Sequence, residues 1–178
     1  MAGRAPGRNE VKAAGPGPRA PGRPRARRQY GVIVARFHEH ISKRLLDGAL
    51  EAFRAHGVPD REVEVVWVPG SFELPQAASH LARSGRFDAL VCVGVVIKGE
   101  TPHFEHVARA AASGISRVAL ATGVPVTFGV ITALSEEQAL DRAGGKVANR
   151  GEEAALAALE MAEFVKRTGK RTRRYSGG

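Results

Sequence analysis

The chain has 178 residues, 43% of them hydrophobic and 25% charged, enough for one α/β domain with a sizeable core and too few for two. Its longest apolar run, Ala89 to Ile97, falls far short of the roughly 20 residues that cross a bilayer, so neither a membrane span nor a membrane partner is expected. The net charge of +9 suggests nucleic acid until it is divided along the chain: residues 1–28 carry +7 and 166–178 carry +6, which leaves 29–165 at −4.

Residues 1–28 hold five Gly, five Pro and six Ala, with Met1 and Val11 as the only larger apolar side chains. They cannot bury enough surface to offset the entropy of ordering, and a disordered basic tail is expected there, with a second over 168–178. No apolar stretch follows the N-terminal charges as it does in a secretory signal, so the expected location is the cytoplasm. The tails have one aromatic between them, Tyr175, and no stacking platform. They read as solvated or weakly RNA-adhesive, without a specific nucleic-acid site.

From Tyr30 short apolar runs alternate with helical periodicity. Tyr30 to Phe37, Val63 to Val68, Ala89 to Ile97 and Val124 to Ile131 read as strands, apolar throughout, as strands covered on both faces are. Ile41, Leu45, Ala49 and Phe53 mark one face of a helix ending near Gly57; further helices are expected over Leu74 to Arg83, His103 to Leu120, Ser135 to Gly144 and Glu152 to Lys166. The order predicts a three-layer αβα sandwich around a four-stranded parallel sheet, flavodoxin-like, over residues 29–167. The single cysteine, Cys92, forms no internal disulfide and no multi-cysteine zinc site, and is expected to pack as a small hydrophobe.

In an open parallel sheet, ligands bind beyond the carboxyl ends of the strands. That rule selects Arg36-Phe37-His38, Pro69-Gly70-Ser71-Phe72-Glu73 and Lys98-Gly99-Glu100-Thr101-Pro102-His103, with Phe128 inside the fourth strand. The last segment is the sharpest, because a glycine turn entering a helix leaves N–H groups facing outward as an anion site. Thr101 and Pro102 suit the N-cap and first turn, and a well-capped helix is the plainer alternative. His103 in the first turn stands beside that anion site, where an imidazole suits proton transfer around a phosphorylated substrate.

Other features take ordinary readings. His38-Glu39-His40 has no fixed metal geometry, and His103 with His106 lacks a third ligand, so no metal site is expected. Gly144-Gly145-Lys146 lacks the flanking residues of a phosphate-binding P-loop, and no Gly-x-Gly-x-x-Gly follows the first strand. Phe37, Phe72 and Phe128 are by type core residues, and position raises Phe37 and Phe128 as stacking candidates.

Five ordered motifs resemble the 6,7-dimethyl-8-ribityllumazine synthase family: Ala35-Arg36-Phe37, Val68 to Pro75, Gly94 to His106, Phe128-Gly129-Val130 and Glu137 to Met161. The resemblance, not composition, implies a condensation of 5-amino-6-(D-ribitylamino)uracil with 3,4-dihydroxy-2-butanone 4-phosphate, releasing phosphate and water, with no cofactor and no metal. It implies that Phe37 stacks on the pyrimidine, that Ser71, Phe72 and Glu73 contact the ring and ribityl chain, and that Val95, Val96 and Ile97 line the pyrimidine pocket. It places Glu100 and Thr101 at the phosphorylated substrate, His103 as the proton shuttle, Phe128 as a closing group from a neighbouring subunit, and Arg142 on the phosphate. It also implies a homo-oligomer: a pentamer, with a 60-subunit shell left open because the N-terminal segment is rich in Pro and Gly, which pair poorly as strand. Two positions depart from the family pattern, His38 in place of Asn and Arg150 in place of Lys. The alternatives are a ligand-holding paralogue without turnover, favoured by His38 alone, and an RNA-binding protein acting through its tails.

Overall fold

The two most completely apolar runs, β1 (Tyr30–Ala35) and β3 (Ala89–Ile97), lie side by side in the centre of a parallel sheet, with β2 (Val63–Val68) and β4 (Val126–Ala133) outside them in the order β2-β1-β3-β4. The computed structural model describes residues 29–172; the disorder expected of 1–28 and of the residues after 172 lies outside the described residues. Between the strands run α1 (Glu39–Ala55), α2 (Leu74–Arg83), α3 (His103–Thr122) and α4 (Glu136–Asp141), and α5 (Arg150–Thr172) closes the fold. This is the three-layer, flavodoxin-like α/β arrangement that the alternation predicts.

Strand side chains alternate between faces, and the core divides accordingly. Val32, Val34, Val91, Val93 and Val95 pack with Ile41, Leu45 and Phe53 of α1 and the alanines of α5, while Ile33, Ala35, Leu90 and Cys92 pack with Leu74 and Ala78 of α2 and Ile115 of α3. Gly48 within α1 costs about 1 kcal/mol of helix propensity. Burial of Ile41, Leu45 and Phe53, about 1.5–3 kcal/mol each, outweighs it. Cys92 is fully buried, which pushes its thiol far up from the usual range and leaves it a packing residue, as expected.

Helices α1 and α5 meet through backbone. A Cβ added at Gly151 would stand 1.9 Å from the carbonyl oxygen of Leu45, so only glycine permits this approach. At the other end, α5 continues past Lys166 to Thr172, so the first residues of the expected C-terminal tail are helical; nothing between 166 and 172 is a strong helix breaker except Gly169.

Other differences have local causes. β1 stops at Ala35, yet the Arg36 and Phe37 N–H groups still donate to Val68 and Pro69 carbonyls (2.9 and 3.2 Å), so the chain leaves the sheet alongside β2. Gly123 ends α3 in the left-handed region and Pro125 has no N–H to donate, which delays β4 to Val126. β2 and β4 are partly exposed, because each has a neighbour on one side only. A 3-10 turn over Asp60–Glu62, unanticipated from the sequence, is pinned by the Arg54 guanidinium on Asp60 at 2.7 Å, which holds that carboxyl below its usual range. Among the described residues no helix is long and apolar enough to cross a membrane.

Candidate active site

The carboxyl ends of β1, β2 and β3 converge where the chain's two crossovers part, α1 to one face of the sheet and α2 to the other. That divergence opens a crevice of about 630 Å³ lined by Phe37, His38, Gly70 to Glu73, Val95 to Ile97, Gly99, Thr101, His103, Phe104, His106 and Val107.

The segment after β2 forms its floor. Ser71 is buried, with its hydroxyl donating to the Val95 carbonyl at 3.5 Å, and the space it occupies exists because Gly94 has no side chain: a Cβ there would lie 2.8 Å from the Ser71 oxygen. A Cβ at Gly70 would lie 3.2 Å from a Glu73 carboxylate oxygen and 3.3 Å from the Phe37 ring, so carboxylate and ring both border this glycine. Phe37 and Phe72 are 68% and 61% exposed, which for phenylalanines beside a crevice is surface free to stack on a planar ligand.

His38 sits at the N-cap of α1 in the left-handed region, φ 56° and ψ 49°, the sole described non-glycine residue with positive φ, and makes no side-chain cap bond. Asn and His tolerate this region better than other side chains, so the departure at this position keeps the backbone requirement while changing the group at the crevice wall. Replacing His38 with Val is expected to lower stability by about 1–2 kcal/mol, read as a lower denaturant midpoint at unchanged slope, whereas His38→Asn leaves the midpoint in place. A Val variant as stable as the parent contradicts the strained cap. His40, two residues on, contacts a Glu136 carboxylate oxygen at 2.8 Å instead of sharing a ligand set with His38. Among the described residues no three His, Cys, Asp or Glu side chains gather as a metal set.

The opposite wall is the start of α3. Pro102, not Thr101, occupies the N-cap position, and no side chain caps the helix. The proline ring presets the helical φ (here −64°), which moves the boundary one residue later than the hydroxyl suggests and leaves Thr101 on the crevice lining. Phe104 and Val107 are lining residues that the sequence reading did not select. Val107 is one turn from His103, so the helical period alone places it on the same face.

Phe37, Ser71, Phe72, Glu73, Val95, Val96, Ile97, Thr101 and His103 are thus brought together by one chain. Glu100 lies between two lining residues without lining the crevice itself. Phe128 lies on the edge strand β4, 44% exposed, where it borders a separate cleft with Thr127, Arg150, Glu153 and Ala154. Arg142 follows α4 and donates to the Gln138 carbonyl at 3.0 Å, outside the crevice lining. The family model of 6,7-dimethyl-8-ribityllumazine synthase matches residues 27–166, which include every one of these positions.

Proposed function

The chain belongs to the 6,7-dimethyl-8-ribityllumazine synthase family, a transferase whose condensation forms that lumazine in riboflavin biosynthesis, and from this premise we propose how its crevice performs the step. The observation that carries the reading is the convergence of an exposed ring, a carboxylate, a buried hydroxyl and a histidine at the start of an uncapped helix. The pyrimidine amine stacks on Phe37 over the pocket made by Val95, Val96 and Ile97, and its ribityl hydroxyls meet Ser71, Phe72 and Glu73. The phosphorylated ketone lies against Thr101, with Glu100 next to it in the chain, where N–H groups at the start of α3 favour an anion.

As the amine attacks the ketone it must shed a proton, and the carbinol oxygen must gain one to leave as water; loss of phosphate requires a further proton to be taken from carbon. His103 carries these protons between positions a few ångströms apart. Holding the two partners together supplies much of the remaining acceleration.

Phe128 and Arg142 are supplied by an adjacent copy in a pentamer, since each is partly exposed and away from its own chain's crevice. The catalytic unit spans 29–167, with 1–28 and 168–178 as basic appendages, and works in the cytoplasm.

Replacing Arg142 with Ala should raise KM for the phosphorylated partner roughly 10- to 100-fold, as loss of a charge-assisted bond does, with KM for the pyrimidine unchanged. Co-assembling His103→Ala with Arg142→Ala chains should restore part of the parent turnover, because some interfaces then join an intact crevice to an intact arginine. Equal rises in both KM values, or mixed assemblies no better than their components, contradict the shared site.

A further inference from the structure

Asn149 joins two helices with its side-chain amide and a third segment through its backbone. Its Oδ1 accepts from the N–H groups of Gly151 (2.9 Å) and Glu152 (3.3 Å), capping α5, while its Nδ2 donates to the Arg44 carbonyl of α1 at 2.9 Å. Its backbone forms an antiparallel bridge with Ala143, and the next residue, Arg150, donates its N–H to the Arg142 carbonyl at 2.9 Å. A further backbone bond, Gly144 N–H to the Ala148 carbonyl at 2.8 Å, closes the same connection. Gly48 makes room for the amide: a Cβ there would stand 2.3 Å from Nδ2 and 2.6 Å from Oδ1.

We propose that Asn149 is a positioning residue for the condensation, clamping the connection between α4 and α5 onto α1 and so setting where Arg142 presents its guanidinium to the phosphorylated partner. The proposal rests on the phosphate role of Arg142 given above. Its physical basis is the short path: one side-chain bond from α1 to Asn149, then the paired backbones of 149–150 and 142–143. α4 ends at Asp141, and Ala139 and Ala143 on either side of Arg142 are buried in the core, so these bonds add a tie from α1 to the hold that packing already gives its backbone.

Capping and clamping separate in Asn149→Asp. The carboxylate still accepts from Gly151 and Glu152 and suits a helix start, but it has no N–H for the Arg44 carbonyl. The variant is expected to raise KM for the phosphorylated ketone about 3- to 10-fold, as loss of one hydrogen bond does, with KM for the pyrimidine unchanged and the thermal midpoint held by the retained cap. Gly48→Ala, which pushes the amide from the α1 side while favouring the helix, should give the same split. In a double variant, Asn149→Asp added to Arg142→Ala should produce no further rise, because the clamp acts through that arginine.

If Arg142→Ala alone leaves KM for the phosphorylated partner unchanged, the role of Arg142 fails and the clamp fails with it. If Arg142→Ala raises that KM while Asn149→Asp and Gly48→Ala do not, the clamp alone is overturned. Equal rises in both KM values, or additive effects in the double variant, reduce Asn149 to a structural cap.

Discussion

His103→Ala should lower kcat roughly 100- to 10,000-fold while leaving KM for either substrate within a few-fold of the parent. The imidazole stands at the start of α3 on the crevice wall, exposed enough to reach a ligand. Proton transfer is an interaction of the transition state, so its loss appears in kcat and in kcat/KM alike and not in ground-state binding. Steady-state kinetics varying each substrate in turn separates the cases. A variant that keeps the parent kcat, or loses only affinity, removes His103 from proton transfer and leaves it as a wall residue.

The second large effect concerns the seam between α1 and α5. Gly151→Ala should lower the thermal midpoint by roughly 10 °C at fixed protein concentration, a cost of about 3 kcal/mol. Two effects oppose each other here. Alanine favours a helix over glycine by about 1 kcal/mol, but its Cβ would lie 1.9 Å from the Leu45 carbonyl oxygen and 2.7 Å from its carbon, backbone atoms that cannot rotate aside. Gly169, on the same helix with nothing within 4 Å of its Cβ position, is the control. Gly169→Ala should leave the midpoint unchanged or raised. If the two variants behave alike, the helices do not approach as described.

How much of this was legible in the sequence follows from which forces act locally. β3 begins and ends where its apolar run does, because its neighbours cover it on both faces. β4 was displaced by two residues, because Gly123 and Pro125 act on the backbone ahead of it and a hydrophobic run does not register that. The ends of β1, β2 and β3 gave the crevice because strand direction in a parallel sheet puts their loops together. The left-handed conformation of His38 had no signature of its own, since histidine is found in every backbone region.

Phe128 and Arg142 show a different limit. The family resemblance implies that they belong with the site, but within one chain they lie on the edge strand and after α4, where the crevice lining does not reach. Asn149 was not selected from the sequence, where the last helix was expected to start at Glu152, although an Asn followed three positions on by Glu is a helix-start signal that could have found it. Its second bond, to a carbonyl 105 residues away, is a product of the fold alone.

If this crevice joins the pyrimidine amine to the phosphorylated ketone, those two substrates suffice for product. The most direct test gives the purified full chain those two substrates alone and follows lumazine fluorescence together with released phosphate. Product forming well above the uncatalysed background, with phosphate released in step, is the predicted result. A folded, assembled protein that forms no product above that background contradicts the claim.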